Sequence, residues 1–363
     1  MRILFTGGGT GGHLYPAIAV AREIEARRPE TKIMFIIGNR DIEKQIIGNA
    51  GYSFDTVPVA GLPRKLTPKI VTFIIKLKLS VMKSMMILRK FKPSVILATG
   101  GYVSGPPVIA GRLMRIPVCI QEQNSFPGIT TKKLARFSDT VFLGFKDAGR
   151  FFSRNVKTIV TGNPVRAELL DTITEDSSAE FGLDPDLKTV LIVGGSQGSA
   201  MMNAGMSEIA GELADNDIQI LWQTGAGEFG TWEHLSDYSA EKIKIVPYLD
   251  NMGAAYSAAD VIVSRAGAMA VAEIAACGIP AIFIPLATAA ENHQEYNASS
   301  LVSKGAAVMI TEKEFMPEKL KSEIMGILND PEKCADMKEK LSHFGRTDAA
   351  GVIAETIIEQ YGN

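Results

Sequence analysis

Cysteine is scarce in this chain, and what little there is excludes a good deal. Cys119, Cys277 and Cys334 are odd in number, widely spaced and set in apolar or helical surroundings. That argues against a disulfide framework or a cysteine zinc site and fits a reducing compartment. No run of 18 apolar residues is free of charge, so no segment is expected to span a bilayer. Met1 leads almost directly into an apolar strand, which leaves no room for a secretory signal, and a cytoplasmic protein is expected. The most telling absence is of acids: from Thr56 to Gln121 there is no Asp or Glu. What remains is ordinary for a soluble globular protein, 46% hydrophobic and 21% charged. A length of 363 residues suggests two domains.

Charge is divided unevenly along the chain. Residues 1–163 hold 25 Lys and Arg against 9 acids, whereas residues 164–363 hold 13 against 31. A net charge of −2 thus conceals two halves of opposite sign, suited to different partners, one of them polyanionic. Eleven of the basic residues fall in the acid-free stretch, including Arg64, Lys65, Lys69, Lys76, Lys83 and Lys90. The spacing predicts a helix over 69–90, with Ile70, Ile74, Leu77, Val81, Met85 and Leu88 on one face and a lysine every seventh residue on another. Such a helix, with Phe73, Ile74 and Ile75 beside the lysines, suits an anionic membrane surface. It equally suits a helix packed on a sheet with its lysines in water. Nucleic acid is the weaker partner, because the stretch has few aromatics and no recognised motif.

The first half opens on residues 2–13, RILFTGGGTGGH. A short apolar strand runs into a glycine-rich turn, and residues 16–26 are predicted to be helical. Backbone N–H groups at such a turn and helix start favour an anion, though the same pattern serves a tight βα connection. His13 sets this turn apart. A second strand over 32–37 ends in Gly38-Asn39, where a dinucleotide-binding unit would need an acid for the ribose, so a nicotinamide site is disfavoured. A third strand (95–98) enters the turn at Gly100-Gly101. A fourth (118–121) delivers Glu122, Gln123 and Asn124 to a loop at a carboxyl end, where open α/β sheets bind ligands. Glu122 there either meets a ligand or pairs and caps locally. Residues 161–166 read as the linker.

The second half repeats the opening design. A strand over 189–193 enters Gly194-Gly195-Ser196-Gln197-Gly198-Ser199, and a strand over 261–264 enters Arg265-Ala266-Gly267-Ala268. Glu273 lies two turns into the following helix among apolar neighbours, so it needs a partner or a ligand; a pair of ribose hydroxyls would serve. Residues 285–298 form a polar loop at another carboxyl end, and the last helix, about 349–361, is amphipathic and expected to pack on the first domain.

Seven motifs occur in order along almost the whole chain: 7–17 GGGTGGHLYPA, 100–106 GGYVSGP, 121–128 QEQNSFPG, 162–166 GNPVR, 194–199 GGSQGS, 264–273 SRAGAMAVAE and 291–298 ENHQEYNA. In this the chain resembles the bacterial peptidoglycan N-acetylglucosaminyltransferases, which make lipid II from lipid I. The resemblance implies an α/β, GT-B glycosyltransferase: two Rossmann-like domains facing across a cleft, with boundaries near 1–163 and 164–344 and residues 345–363 returning to the first. The second domain would hold UDP-N-acetylglucosamine (UDP-GlcNAc); the first would face the lipid-linked acceptor and the anionic cytoplasmic membrane surface, through Lys69, Phe73, Ile74, Lys76 and Lys83. By the same resemblance, Thr10, Gly11, Gly12 and Asn124 would line the N-terminal side of the donor site. Arg166 and Ser196 would contact the donor, Leu249 would meet uracil through its backbone, and Glu273 would hold the ribose. Residues Gly267, Ala268, Met269, Ala270, Val271 and Ala272 would cradle nucleotide and phosphate, and Gln294, with His293, would bind the sugar. Ala270 departs from the threonine frequent in the family, so no side-chain contact is expected there.

The implied chemistry is inverting displacement of UDP by the acceptor 4-hydroxyl, which needs a base and stabilisation of the departing diphosphate. An imidazole titrates near neutrality, which makes His13 the candidate base and Glu122 the reserve. No cofactor, metal or nucleic acid is expected, so helix N-termini with Arg265 or Arg166 would stabilise the diphosphate. A nucleotide-sugar epimerase on the same architecture, or a membrane adaptor without activity, are the competing classes.

Overall fold

The computed structural model describes residues 1–58, 69–166, 169 and 177–362, with the backbone alone for 69–71. By its contacts the chain divides into two units, Met1–Val165 with Thr347–Asn363, and Arg166–Arg346.

The first unit is built on β1 (Arg2–Gly7), β2 (Lys32–Ile37), β3 (Ser53–Thr56), β4 (Val95–Gly100), β5 (Val118–Glu122), β6 (Thr140–Leu143) and β7 (Thr158–Val160). They form one parallel sheet in the order β3-β2-β1-β4-β5-β6-β7, with Ile3 beside both Ile33 and Val95. The order reverses between β1 and β4, and ligands of such sheets bind at that switch point, beyond the carboxyl ends of the strands. Side-chain alternation divides the core. Ile3 and Phe5 pack with Leu14, Ile18 and Ile24, whereas Leu4 packs on the other face with Ile87, Leu88 and Val108. The C-terminal helix Ala349–Tyr361 closes the first of these layers through Ile353, Ala354 and Ile357, and Arg28 Nη1 donates to the Gly362 carbonyl at 2.6 Å. Residues 161–165, expected as a linker, are buried in this unit, with Asn163 hydrogen-bonded inside it.

The helix after β1 is Gly11–Arg27, so it begins five residues before the expected start at Pro16. Pro16 lies inside it and is buried; its missing N–H removes one bond of the first turns without ending the helix. His13 therefore stands in the first turn rather than on the loop. Lys69–Phe91 is one 23-residue helix. Arg64 and Lys65, and the side chains of Lys69 and Ile70, lie outside the described residues. Ser80, Ser84, Ile87 and Leu88 face inward and are buried. Ser80 and Ser84 return their hydroxyls to the carbonyls of Lys76 and Ser80, both at 2.8 Å, which lets them sit in an apolar interface. Ile74, which shares helical spacing with Leu77, Val81, Met85 and Leu88, is 44% exposed, and Ile75, Leu79, Met82 and Met86 form an outward stripe, 53–61% exposed. Apolar residues occur all round this helix, so spacing alone could not choose the buried side.

The second unit contains β8 (Lys188–Val193), β9 (Ile218–Gln223), β10 (Ile243–Val246), β11 (Val261–Ser264), β12 (Ala281–Phe283) and β13 (Val308–Met309). These too are all parallel, in the order β10-β9-β8-β11-β12-β13. The switch point lies between β8 and β11, whose turns are the glycine-rich segments at 194–199 and 265–267. Trp222, at the centre of β9, is fully buried in the core of this unit.

Candidate active site at the two switch points

At the switch point of the first unit, three segments meet: the turn after β1, the turn after β4 and the end of β5. Gly101 has φ of +76°, and a methyl group there would fall 2.2 Å from the Gly8 carbonyl oxygen, so only glycine lets the two turns close on each other. Ser104 ties them, donating to the Thr6 carbonyl at 3.1 Å and to the Gly100 carbonyl at 2.7 Å. A methyl at Gly100 would stand 2.9 Å from His13 Nδ1, so the imidazole lies directly against this second turn.

The buried amide of Gln123 decides which ring nitrogen of His13 carries its proton. Gln123 Nε2 donates to the Thr99 carbonyl at 2.7 Å and to Gln121 Oε1, which turns its Oε1 toward His13 Nδ1 at 3.2 Å. An amide oxygen only accepts, so Nδ1 is the protonated nitrogen and Nε2 is the basic end of the neutral ring. Gln121 is held in turn by donation to Asn163 Oδ1 at 3.0 Å, and Asn163 Nδ2 donates to the Gln123 carbonyl at 2.9 Å. Gln121, Gln123 and Asn163 thus form one buried chain behind the imidazole.

Glu122 points the other way, as alternation along β5 requires. It is 2% exposed, and its two oxygens accept from Asn124 N (2.9 Å), Asn124 Nδ2 (3.0 Å) and Gly128 N (3.3 Å). This carboxylate anchors its own loop and is committed there, so the reserve base of the sequence reading is withdrawn. Thr10 is the exposed N-cap of the helix carrying Gly11, Gly12 and His13, and it makes no side-chain cap.

At the switch point of the second unit the corresponding turn is equally tight. Gly198 has φ of +75°, and a methyl there would lie 1.8 Å from the Thr224 carbonyl. Ser196 is exposed at the crown of the turn. Gln223 bridges two strand ends: its Nε2 donates to the Gly195 carbonyl at 3.0 Å and its Oε1 accepts the Leu249 N–H at 2.9 Å. Of the Leu249 backbone groups, through which a contact to uracil is expected, the N–H is thus engaged within the unit. Gly267 is the N-cap of helix Ala268–Cys277 and has no side chain of its own to cap with. The first turn, Ala268 to Ala270, is the positive, anion-favouring end of a ten-residue helix dipole, with Val271 and Ala272 behind it. Gln294 accepts the Leu286 N–H at 3.0 Å, and His293 Nδ1 lies 2.7 Å from the Ala290 carbonyl.

Both arginines assigned to the diphosphate are paired with carboxylates. Arg265 Nη1 lies 2.6 Å from Glu312 Oε1 and also donates to the Ile284 carbonyl at 3.0 Å, while Nη2 donates to Ser199 Oγ at 2.7 Å. This guanidinium binds together the turn after β8, the end of β12 and the segment after β13. It is a strap between these segments, whatever charge it also offers a diphosphate. Arg166 Nε lies 3.5 Å from Glu273 Oε1. Burial raises the Glu273 carboxyl above its ordinary range, opposed by Arg166 and by a hydrogen bond from the Tyr256 hydroxyl. The same carboxylate and the same burial push the Tyr256 hydroxyl well up. Glu273, expected to hold a ribose, is thus the centre of an Arg166–Glu273–Tyr256 cluster.

Models of two domains match this chain: the glycosyltransferase family 28 N-terminal domain over residues 3–143 and the glycosyltransferase family 28 C-terminal domain over residues 189–353. The UDP-N-acetylglucosamine–N-acetylmuramyl-(pentapeptide) pyrophosphoryl-undecaprenol N-acetylglucosamine transferase of Caldanaerobacter subterraneus subsp. tengcongensis is 38% identical over 361 residues, covering 98% of this chain and 99% of that protein. The chain belongs to this glycosyltransferase family. A protein of the same name from Clostridioides difficile is 37% identical over 367 residues, covering 100% of this chain and 90% of that one. Among solved structures, Acinetobacter baumannii MurG superposes with a TM-score of 0.80 at 26% identity, covering 99% of both chains. Staphylococcus aureus MnaA, solved with UDP, reaches 0.70 at 13% identity and shows the fold alone. Two parallel Rossmann-like sheets in one chain are the GT-B class expected from the motifs.

Within this glycosyltransferase, the sequence reading placed His13, Thr10 and Asn124 on one sheet edge, and Ser196, Leu249, Arg265, Gly267 and Glu273 on the other. It missed the residues that hold them. Gln123, Ser199 and Glu312 each fix a site side chain. For Gln123 a signal was present: on a strand, residues 121 and 123 share a face and residue 122 opposes them.

Proposed function

We propose that this chain transfers N-acetylglucosamine from UDP-GlcNAc to the 4-hydroxyl of the N-acetylmuramyl sugar of lipid I, giving lipid II with inversion. The observation that carries the reading is identity of 38% over nearly the full length to a transferase of that name. The N-terminal unit takes the acceptor and supplies the base. With Nδ1 held by Gln123, His13 Nε2 accepts the proton of the attacking hydroxyl as its oxygen bonds to the anomeric carbon and the bond to UDP breaks. A basic nitrogen on a ring that cannot turn favours the transition state over a freely rotating one.

The C-terminal unit takes the nucleotide sugar. Ser196 and the amides at the start of helix Ala268–Cys277 meet the diphosphate, and the helix dipole stabilises the charge that develops as UDP leaves. With Arg265 strapped to Glu312, this stabilisation rests on amides rather than on that guanidinium. Arg166 and Glu273 act toward the donor as a pair, the Glu273 carboxyl group meeting ribose hydroxyls while Arg166 opposes the burial that raises it. Gln294 and His293 serve the sugar, and in the N-terminal unit Thr10, Gly11, Gly12 and Asn124 serve substrate at its own switch point.

The enzyme works at the cytoplasmic face of the membrane as a peripheral protein. Among the described residues no helix is long and apolar enough to cross a bilayer. The outward stripe Ile75, Leu79, Met82 and Met86, with Ile74 beside it and Lys76, Lys78 and Lys83 flanking it, is the membrane-facing surface; of the other residues expected there, Phe73 turns to the other side of the helix and the Lys69 side chain lies outside the described residues.

The test is a single assay with a lipid I analogue and UDP-GlcNAc, run beside water and beside donor alone. Product dependent on the acceptor supports the reading. Conversion of donor without acceptor assigns the chain to the epimerase class instead.

A further inference from the structure

The N-terminal unit contains an apolar cavity of about 250 Å³ that the transfer chemistry described above does not use. Its walls are Phe73 and Leu77 of helix Lys69–Phe91, Ile109 of helix Gly105–Leu113, and Leu134 and Phe137. Phe73, Leu77 and Ser80 share one side of their helix at the spacing of successive turns, whereas Ile75, Leu79, Met82 and Met86 are on the outward side. The cavity and the outward stripe are therefore two different faces of one helix. Ser80, the polar residue on that wall, has its hydroxyl turned to the Lys76 carbonyl at 2.8 Å and leaves the wall apolar.

The geometry points to this cavity as the subsite for the first isoprene units of the acceptor's lipid chain, next to its diphosphate. Three observations select that occupant. The lining carries two exposed cations, Lys133 and Arg136, and no acid, which suits an apolar body attached to an anionic head. The cavity is lined by the segment that follows the catalytic turn: Tyr102 and Gly105, on its wall, come one and four residues after Gly101, and Gly100 lies against His13. A diphosphate at the Gly100-Gly101 turn thus has its tail directed toward the cavity, as a bulk phospholipid would not. Finally, Arg136 lies over the Phe137 ring at 4.9 Å, so the wall keeps a charge beside an aromatic surface at the mouth. The inference rests on the proposal that the acceptor is lipid-linked.

Gly105 supplies a clean test. A Cβ there meets no heavy atom within 4 Å, and the residue is helical with φ of −56°, so a side chain starts into open space at the cavity wall without backbone strain. The full-length enzyme is assayed without membranes, using acceptors whose diphosphate bears either a ten-carbon isoprenyl chain or a methyl group. Each buried methylene-sized group contributes roughly fourfold, so wild type should prefer the isoprenyl acceptor in kcat/KM by at least ~50-fold. Gly105→Leu should lower kcat/KM for the isoprenyl acceptor about tenfold or more, Gly105→Ala by less, and both should leave the methyl acceptor within about twofold. Vesicle binding by the two variants should equal wild type. Equal loss on both acceptors, no loss on either, or no chain preference in wild type overturns the inference. So does inhibition by monomeric phosphatidylglycerol matching that by geranyl diphosphate, which would assign the cavity to acyl chains. Absence of transfer to every acceptor is a distinct result, and it overturns the proposed function itself.

Discussion

Replacing Arg265 with alanine separates two roles that a guanidinium can have at the nucleotide-binding edge. A counter-charge for the diphosphate is dispensable to folding, whereas a strap is not. Arg265 and Glu312 side chains are 13% and 21% exposed, and their closest atoms are 2.6 Å apart. At an effective dielectric near 20 the gross attraction is about 6 kcal/mol, most of it offset by desolvation. Truncation is costlier than that balance suggests, because it strands a nearly buried carboxylate together with the Ser199 hydroxyl and the Ile284 carbonyl. Breaking a buried pair in this way costs about 3–5 kcal/mol. In a unit of about 180 residues each kcal/mol moves Tm by roughly 2–4 °C, so Arg265→Ala should lower Tm by about 6–20 °C. The readout is already present. The chain has two tryptophans, Trp222 and Trp232, both in the C-terminal unit, so their fluorescence follows that unit alone. Arg265→Met combined with Glu312→Leu removes both charges and should recover stability to within about 1 kcal/mol of wild type. A fluorescence transition for Arg265→Ala within about 0.5 kcal/mol of wild type, with turnover sharply reduced, would refute the strap and return the residue to the diphosphate.

Three other expectations follow from the same geometry. His13→Ala should lose at least ~100-fold in kcat with little change in UDP affinity, and Gln123→Ala should shift the acidic limb of the pH–rate profile; near-normal turnover for His13→Ala would remove it from the mechanism. Changing Lys69, Lys76 and Lys83 together to Glu should weaken binding to anionic vesicles at least ~100-fold in a co-sedimentation assay, while transfer to a soluble acceptor analogue persists; unchanged binding would return the helix to a purely structural role. Because burial raises the Glu273 carboxyl, the folded state holds that proton longer than the unfolded chain does. The stability of wild type relative to Glu273→Gln should therefore fall as pH rises from 4.5 through the raised value, measured by urea midpoints; a difference independent of pH would mean that Glu273 titrates normally.

Much of the architecture was legible because it is written in local pattern. A strand, a glycine turn and a helix in succession announce a Rossmann-like unit, and their repetition at 189–199 announces a second. What local pattern could not supply was commitment over distance. Arg265 and Glu312 are 47 residues apart, and nothing in either segment signals that one holds the other. Glu122 and Gln123 are adjacent and equally polar, yet alternation sends one to the loop and the other to the histidine. Pro16 misled by marking a helix start where the helix was already under way. In helix Lys69–Phe91 the residues 77, 81, 85 and 88 and the residues 75, 79, 82 and 86 share helical spacing, and only tertiary packing tells the inward row from the exposed one.

The peptide at Gly9 has a bearing on how such turns are recognised. Its N–H donates to Glu43 Oε1 and its carbonyl accepts from Arg40 Nη1 at 2.9 Å, with Glu43 2% exposed and pressed against Gly38. The acid that seemed missing after β2 stands six residues beyond its end, facing the glycine turn rather than a ribose. The chain thus carries its own anion where a dinucleotide-binding domain leaves an amide for a guest. Transplanting nucleotide specificity from one half to the other would have to begin at residue 43, before any glycine is changed. For sequences of this architecture at large, a glycine fingerprint distinguishes an open seat from an occupied one only when read together with the helix that follows the second strand.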